Sequence, residues 1–122
     1  MIARRLPPVV GALACAFSVA LGAYASHAAA GQSRERLALA ALFAFGHGLA
    51  LLATASRRSA LASASKACFI GGIVLFSGSL ACAALLSTST RAAPFGGMLM
   101  IVGWLLLAID YWRYPGGGDD PV

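Results

Sequence analysis

Four apolar runs dominate the chain: Pro7 to about Ala30, Leu37 to about Ala55, Ala67 to Leu86, and Ala93 to Trp112. Each is close to the ~20 residues that a helix needs to cross ~30 Å of hydrocarbon. Lipid offers no water to backbone N–H and C=O groups, so a run that crosses it satisfies them internally, as a helix and not as a strand. Composition closes the alternatives. The chain is 60% hydrophobic and only 11% charged, against about 25% charged in an ordinary soluble domain. It lacks the polar surface to cover a globule in water. A soluble domain and a disordered chain are both excluded.

The links then set the topology. Gly31–Arg36 and Ser87–Ala92 are short, and links of that length join antiparallel neighbours. Ser56–Lys66 is longer, polar and basic. Pro7, Pro8 and Pro94 fall at helix starts, where the missing N–H costs nothing. The expected fold is all-α: an integral membrane four-helix bundle built from two antiparallel hairpins. Residues 1–115 form one transmembrane domain with helices at about 7–30, 37–55, 67–86 and 93–112. Residues 116–122, with Gly116–Gly118, Asp119 and Asp120, read as a flexible tail.

Charge gives the orientation. The net charge is +5, but its cations lie in and around the links. Arg4, Arg5, Arg57, Arg58, Lys66 and Arg113 fall on the side of the termini, and Arg34, Arg36 and Arg91 on the other. The excess predicts a multi-pass protein of the bacterial inner membrane with both termini cytoplasmic. Tyr111, Trp112 and Tyr114 would anchor that interface. No run of five like charges occurs, so no nucleic-acid partner is expected. A cleavable signal peptide is the competing reading of Arg4-Arg5 and Ala28–Ala30, but the stretch from Val9 to Ala25 exceeds the usual 7–15 apolar residues. Cys15, Cys68 and Cys82 are odd in number and lack a CxxC pair, which reads as small buried hydrophobes and not zinc or disulfide.

Three side chains are candidates for chemistry. His47 lies near mid-membrane on a face with Ala40, Ala44, Leu51 and Thr54. An imidazole facing lipid is costly, so this face points inward. There it serves as a proton relay or ligand, or as a neutral histidine bonded to a serine or a backbone carbonyl. His27 sits at the outer end of the first helix, within reach of interfacial water. The two histidines differ in depth by roughly 10 Å at ~1.5 Å per residue, which argues against a shared haem; no cofactor and no metal site is expected. Asp110 is the only acid inside an apolar run, one turn from the end of the fourth helix. A salt-bridged interfacial anchor with Arg113, Arg57 or Arg58 is the expected role, since a transporter's acid belongs nearer the midplane. Trp104, in mid-helix, needs an acceptor such as a serine hydroxyl or a polar cavity.

Small residues mark the seams. Gly71 and Gly78 are spaced by seven, as are Gly96, Gly103 and Asp110. Gly97 adjoins the latter seam, and Gly11, Ser18, Gly22 and Ser26 form a stripe on the first helix. Small residues let backbones approach in lipid, where hydrophobicity does not drive association. Ser77 and Ser79 can bond a neighbouring helix or their own i−4 carbonyl. No nucleophile elbow, P-loop or dinucleotide fingerprint is present, so an enzyme is not expected.

Four segments carry a family resemblance. Gly22-Ala23-Tyr24-Ala25-Ser26-His27 resembles a GAFGAH motif, and Phe45-Gly46-His47-Gly48-Leu49-Ala50-Leu51-Leu52 resembles a YHALALL stretch. Leu75–Leu80 resembles LFSGSLY, and Pro94-Phe95-Gly96-Gly97 with Gly103-Trp104 resembles PxGG…GW. In this order, over residues 11–112, they are similar to the small four-helix membrane family called domain of unknown function 423, related to transmembrane protein 256. Ala25 replaces the motif's second glycine, and Ala81 stands where a tyrosine is usual. The resemblance implies the fold and the membrane, but no reaction. Small four-helix multidrug exporters are set aside, because they carry an acid in the first helix and this chain has none there.

The expected function is a packing or accessory subunit, its partners the lipid bilayer and either a second copy or another membrane protein. The alternative is a small transporter or channel with a polar path near His47. A cavity reaching His47 separates the two.

Overall fold

The computed structural model describes residues 2–116. The remainder of the tail, with Asp119 and Asp120, lies outside the described residues. Four helical segments are long and apolar enough to cross a membrane: Ile2–His27, Gly31–Ala53, Ala60–Leu86 and Ala93–Arg113. We label them α1 (Ile2–His27), α2 (Gly31–Ala53), α3 (Ala60–Gly72) continued through a π-helical segment (Ile73–Ser77) into α4 (Gly78–Leu86), and α5 (Ala93–Arg113). Among the described residues no strand occurs. The fold is the all-helical four-helix membrane architecture expected from the apolar runs.

Several boundaries differ from the hydropathy reading, for one physical reason: hydropathy registers the thickness of hydrocarbon, whereas a helix continues into the interface. α1 begins at Ile2, so Pro7 and Pro8 lie inside it and not at its start. The ladder donors that Ala3 and Arg4 would receive from residues four ahead are missing. Both residues are exposed at the helix end, where the loss is smaller than in a helix interior. Gly31–Arg36 is not a link but the opening of α2; only Ala28–Ala30 separate α1 from α2. Gly31 enters at φ +56°, a left-handed conformation that glycine adopts without a Cβ penalty. Likewise most of Ser56–Lys66 is helix. Ser59 caps α3, its hydroxyl accepting from Ala62 N at 3.0 Å, and satisfies one of the donors a helix start leaves open.

α1 packs chiefly on α2, α3 packs on α5, and the π segment lies against both α2 and α5. Two of these contacts are backbone on backbone. A Cβ built on Gly11 would lie 2.7 Å from Gly48 O, and one on Gly48 would lie 2.8 Å from Gly11 O. On the other side, a Cβ on Gly72 would meet Met100 Cγ at 2.5 Å and Gly96 O at 3.1 Å, and one on Gly103 would meet Phe69 Cε1 at 2.7 Å. A Cβ on Gly96 would overlap the Phe76 backbone. Ser65 Oγ donates to Gly103 O at 2.7 Å across the α3–α5 seam. Large apolar residues such as Leu13, Phe17, Leu42, Leu105 and Ile101 face outward, the arrangement suited to a lipid solvent.

The π segment corrects the Gly71/Gly78 seam. Residues seven apart share a face of an α-helix, but i→i+5 bonding inserts an extra residue into the turn. That rotates everything beyond it by about 100°, the angle one residue spans at 3.6 per turn. Gly78 therefore leaves the seam: a Cβ there would meet nothing within 4 Å. Gly71 touches only Leu99 Cδ1, at 3.1 Å, and the closest approach passes to Gly72. Gly22 and Gly97 make ordinary contacts, with Ala41 Cβ and the Phe76 ring. The cysteines are also less buried than expected: Cys15 and Cys68 are half-buried and Cys82 is exposed, all three free. In a bilayer the exterior is itself apolar, so a thiol has no need of the core.

Candidate functional site

Two of the three side chains expected to carry chemistry, His47 and Asp110, each anchor a separate group. The first is at mid-helix. His47 on α2 is buried with Ala40, Ala44, Leu51 and Thr54. Its Nδ1 lies 2.8 Å from Phe43 O, and its Nε2 lies 3.0 Å from Trp104 Nε1 on α5. An indole N–H only donates, so Nε2 accepts. The proton then sits on Nδ1 and is donated to Phe43 O, which fixes a neutral tautomer. The acceptor for Trp104 is thus the histidine, not a serine or a polar cavity. Rings pack against the pair: Phe69 lies edge-on to His47 at 5.3 Å and tilts against Trp104 at 4.9 Å, with Phe43 stacked on His47 at 6.0 Å. Both ring nitrogens are spent on internal bonds.

The second group lies where the start of α1 and the end of α5 meet the α2–α3 link. Asp110 on α5 is fully buried. Its Oδ2 accepts from Arg57 Nε at 2.5 Å, and its Oδ1 accepts a short hydrogen bond from Ser59 Oγ. Arg57 also donates from Nη2 to Tyr114 O at 2.8 Å and lies over the Tyr111 ring at 3.9 Å. Of the three arginines considered as partners for Asp110, the geometry selects Arg57; Arg58 and Arg113 are exposed. Lys66, also buried, donates to Arg57 O at 2.7 Å and Thr54 O at 3.4 Å. The α2–α3 link is therefore gripped from both sides, by an acid of α5 and by a lysine of α3. Ser59 does two jobs, since the hydroxyl that caps α3 also donates to Asp110. Sequence reasoning did not single out Ser59 or Lys66 for this clasp. Ser59 ahead of a helical run was a legible cap signal, but nothing in the sequence paired it with residue 110.

His27 joins neither group. It is exposed in the last turn of α1, while the bonds of His47 go to Phe43 and Trp104. The histidines do not form a pair. Two buried hydroxyls, Ser77 Oγ and Ser79 Oγ, have no hydrogen-bond partner among the described residues; neither bonds its own helix nor a neighbour. A cavity of about 550 Å³ opens beside the second group, between the start of α1, the link and the start of α3. His47 does not line it.

Known proteins resemble this chain along nearly its whole length. A UPF0382 membrane protein of Staphylococcus haemolyticus is 31% identical over 117 residues, covering 88% of this chain and 96% of that protein. A UPF0382 membrane protein of Haemophilus influenzae is 36% identical over 112 residues, covering 84% and 90%. One from Staphylococcus epidermidis is 32% identical over 117 residues, covering 88% and 96%. No solved structure matches. The family model described as protein of unknown function (DUF423) matches residues 21–97, a stretch that holds His47, Gly48 and, of the clasp, Arg57, Ser59 and Lys66. The chain belongs to that family and is a membrane protein.

Proposed function

We propose that this protein is a non-catalytic packing or accessory subunit of the bacterial inner membrane, with both termini in the cytoplasm, acting through its lipid-facing surface on a second copy or another membrane protein. The observation that carries this reading is that its two buried titratable candidates, His47 and Asp110, are consumed internally. His47 gives one nitrogen to Phe43 O and the other to Trp104, and Asp110 gives both carboxylate oxygens to Arg57 and Ser59. A transported solute or proton needs a group free to exchange partners, and these are bound and enclosed. The orientation is supported by the cavity, which gathers Arg4, Arg57, Arg58 and Lys66 at one end of the molecule, as the positive-inside rule requires of a cytoplasmic face. The test is photocrosslinking in native membranes from outward positions such as Phe17 and Leu105. A discrete adduct at one position supports the reading; recovery of monomer alone from every position overturns it.

A small transporter or channel is the second reading, and Ser77 and Ser79 favour it. Their buried, unpartnered hydroxyls beside a π-helical segment are groups that a passing polar solute could engage, and such segments recur at functional sites. Proteoliposome flux is its measure: flux altered by His47→Ala or Ser77→Ala supports it, and identical flux removes it.

A further inference from the structure

The 550 Å³ cavity is chemically two-sided. Arg4, Arg57, Arg58, Lys66 and the Ser63 hydroxyl supply donors, while Leu6, Pro7, Ala67 and Ile70 supply an apolar wall. No carboxylate lines it among the described residues. Asp110 neutralises Arg57 from behind, which leaves the cationic excess to Arg4, Arg58 and Lys66. The site is built and not a chance meeting of flexible side chains. Ser63, Lys66, Ala67 and Ile70 recur at i, i+3, i+4 and i+7, one face of α3. Lys66 is only 8% exposed, and Arg57 O and Thr54 O take two of its three ammonium donors. The third remains, on a side chain that lines the cavity. The volume suits a small-molecule group, for which pockets run about 300–1,000 Å³.

We propose that this cavity binds a phosphate group, with the headgroup of an anionic membrane lipid as its source and the apolar wall receiving the start of an acyl chain. Basic pockets between membrane helices take phosphate headgroups in this way. The wall of Leu6, Pro7 and Ile70 has no use for a free ion, which is why lipid is favoured over soluble phosphate. The inference rests on membrane location alone, not on the accessory role, so either can fail without the other.

The experiment uses the full chain in detergent. Native mass spectrometry compares retention of cardiolipin, phosphatidylglycerol and phosphatidylcholine, and thermal unfolding is followed with each lipid and with inorganic phosphate. The anionic lipids are expected to be retained over phosphatidylcholine and to raise the unfolding temperature. Arg4→Gln with Arg58→Gln, both exposed positions, should cut that retention about tenfold or more, at ~1 kcal/mol per basic residue. Arg34→Gln with Arg91→Gln removes the same charge at the opposite end and should leave retention unchanged. Stabilisation by inorganic phosphate that disappears in the Arg4/Arg58 variant, without lipid selectivity, keeps the phosphate site and moves its source to solution. Equal retention of anionic and zwitterionic lipid together with no response to phosphate overturns the proposal, as does equal loss in the two double variants. Size-exclusion profiles matching the unsubstituted protein confirm that each variant is folded.

Discussion

Trp104 of α5 donates its indole N–H to Nε2 of His47 on α2, across 3.0 Å, and by doing so settles which imidazole nitrogen holds the proton. The bond ties together two helices whose backbones make little direct contact. It places a polar link where the surroundings are otherwise aromatic.

Replacing either partner should therefore cost stability through the other. Trp104→Phe strands a buried acceptor, at about 1–3 kcal/mol, although bonds inside membrane proteins average nearer ~0.6 kcal/mol in double-mutant cycles. We expect a coupling of about 0.5–1.5 kcal/mol between Trp104→Phe and His47→Ala. Reversible unfolding in mixed micelles measures it, and strict additivity of the two substitutions would refute the bond.

The clasp should be the more expensive feature. Asp110→Asn leaves the Arg57 guanidinium buried without a counter-charge, a loss of about 3–5 kcal/mol. Arg113→Gln, an exposed neighbour three residues on, should change stability by less than about 0.5 kcal/mol. Folded yield by fluorescence-detected chromatography would rank the two. The double variant Arg57→Met with Asp110→Leu is expected to recover much of what Asp110→Asn loses, because replacing a whole buried pair by apolar groups is often neutral.

Helical glycines should respond to alanine according to what a Cβ would meet at each. Gly96→Ala and Gly48→Ala force a methyl into backbone or side-chain atoms closer than 3 Å, and overpacking costs about 1–3 kcal/mol. Gly78→Ala places its methyl in open space and should be neutral or stabilising by up to about 1 kcal/mol, the helix-propensity gain of alanine over glycine. Thermal denaturation of the three variants in one detergent is sufficient.

Orientation is open to labelling. Gln32, in the first turn of α2, and Ser56, in the link beyond its other end, are exposed and suit substitution as Gln32→Cys and Ser56→Cys. In intact cells an impermeant maleimide should modify the cysteine at 32 and spare the one at 56. The reverse pattern would overturn the proposed orientation.

Hydropathy made the four spans legible, because the length of an apolar run is set by bilayer thickness. The inward face of α2 was legible too, from the 3–4 residue spacing of Ala40, Ala44, His47, Leu51 and Thr54. Pairings across helices were not. Nothing in a single sequence says that residue 104 stands opposite residue 47, or that Ser59 and Lys66 close on the same few atoms as Asp110. Depth alone brought Arg57 into consideration beside Arg58 and Arg113, and only the local turn of the link chose among them. The interfacial turns were misread as links at Gly31–Arg36 and Ser56–Lys66, since polar residues at a membrane surface are compatible with helix and loop alike. The family resemblance read from four short motifs is the one the full-length comparisons establish.

The five residues Ile73–Ser77 hold the third span one step out of phase with an unbroken spiral. Deleting any one of them would restore ordinary winding and swing the distal half about 100° around its axis, turning Leu80, Ala81 and Ala83 from the interior toward the acyl chains. The irregularity thus works as a phase-setting insertion: it lets one rod present two differently aimed faces, its lower half to α5 and its upper half to α2.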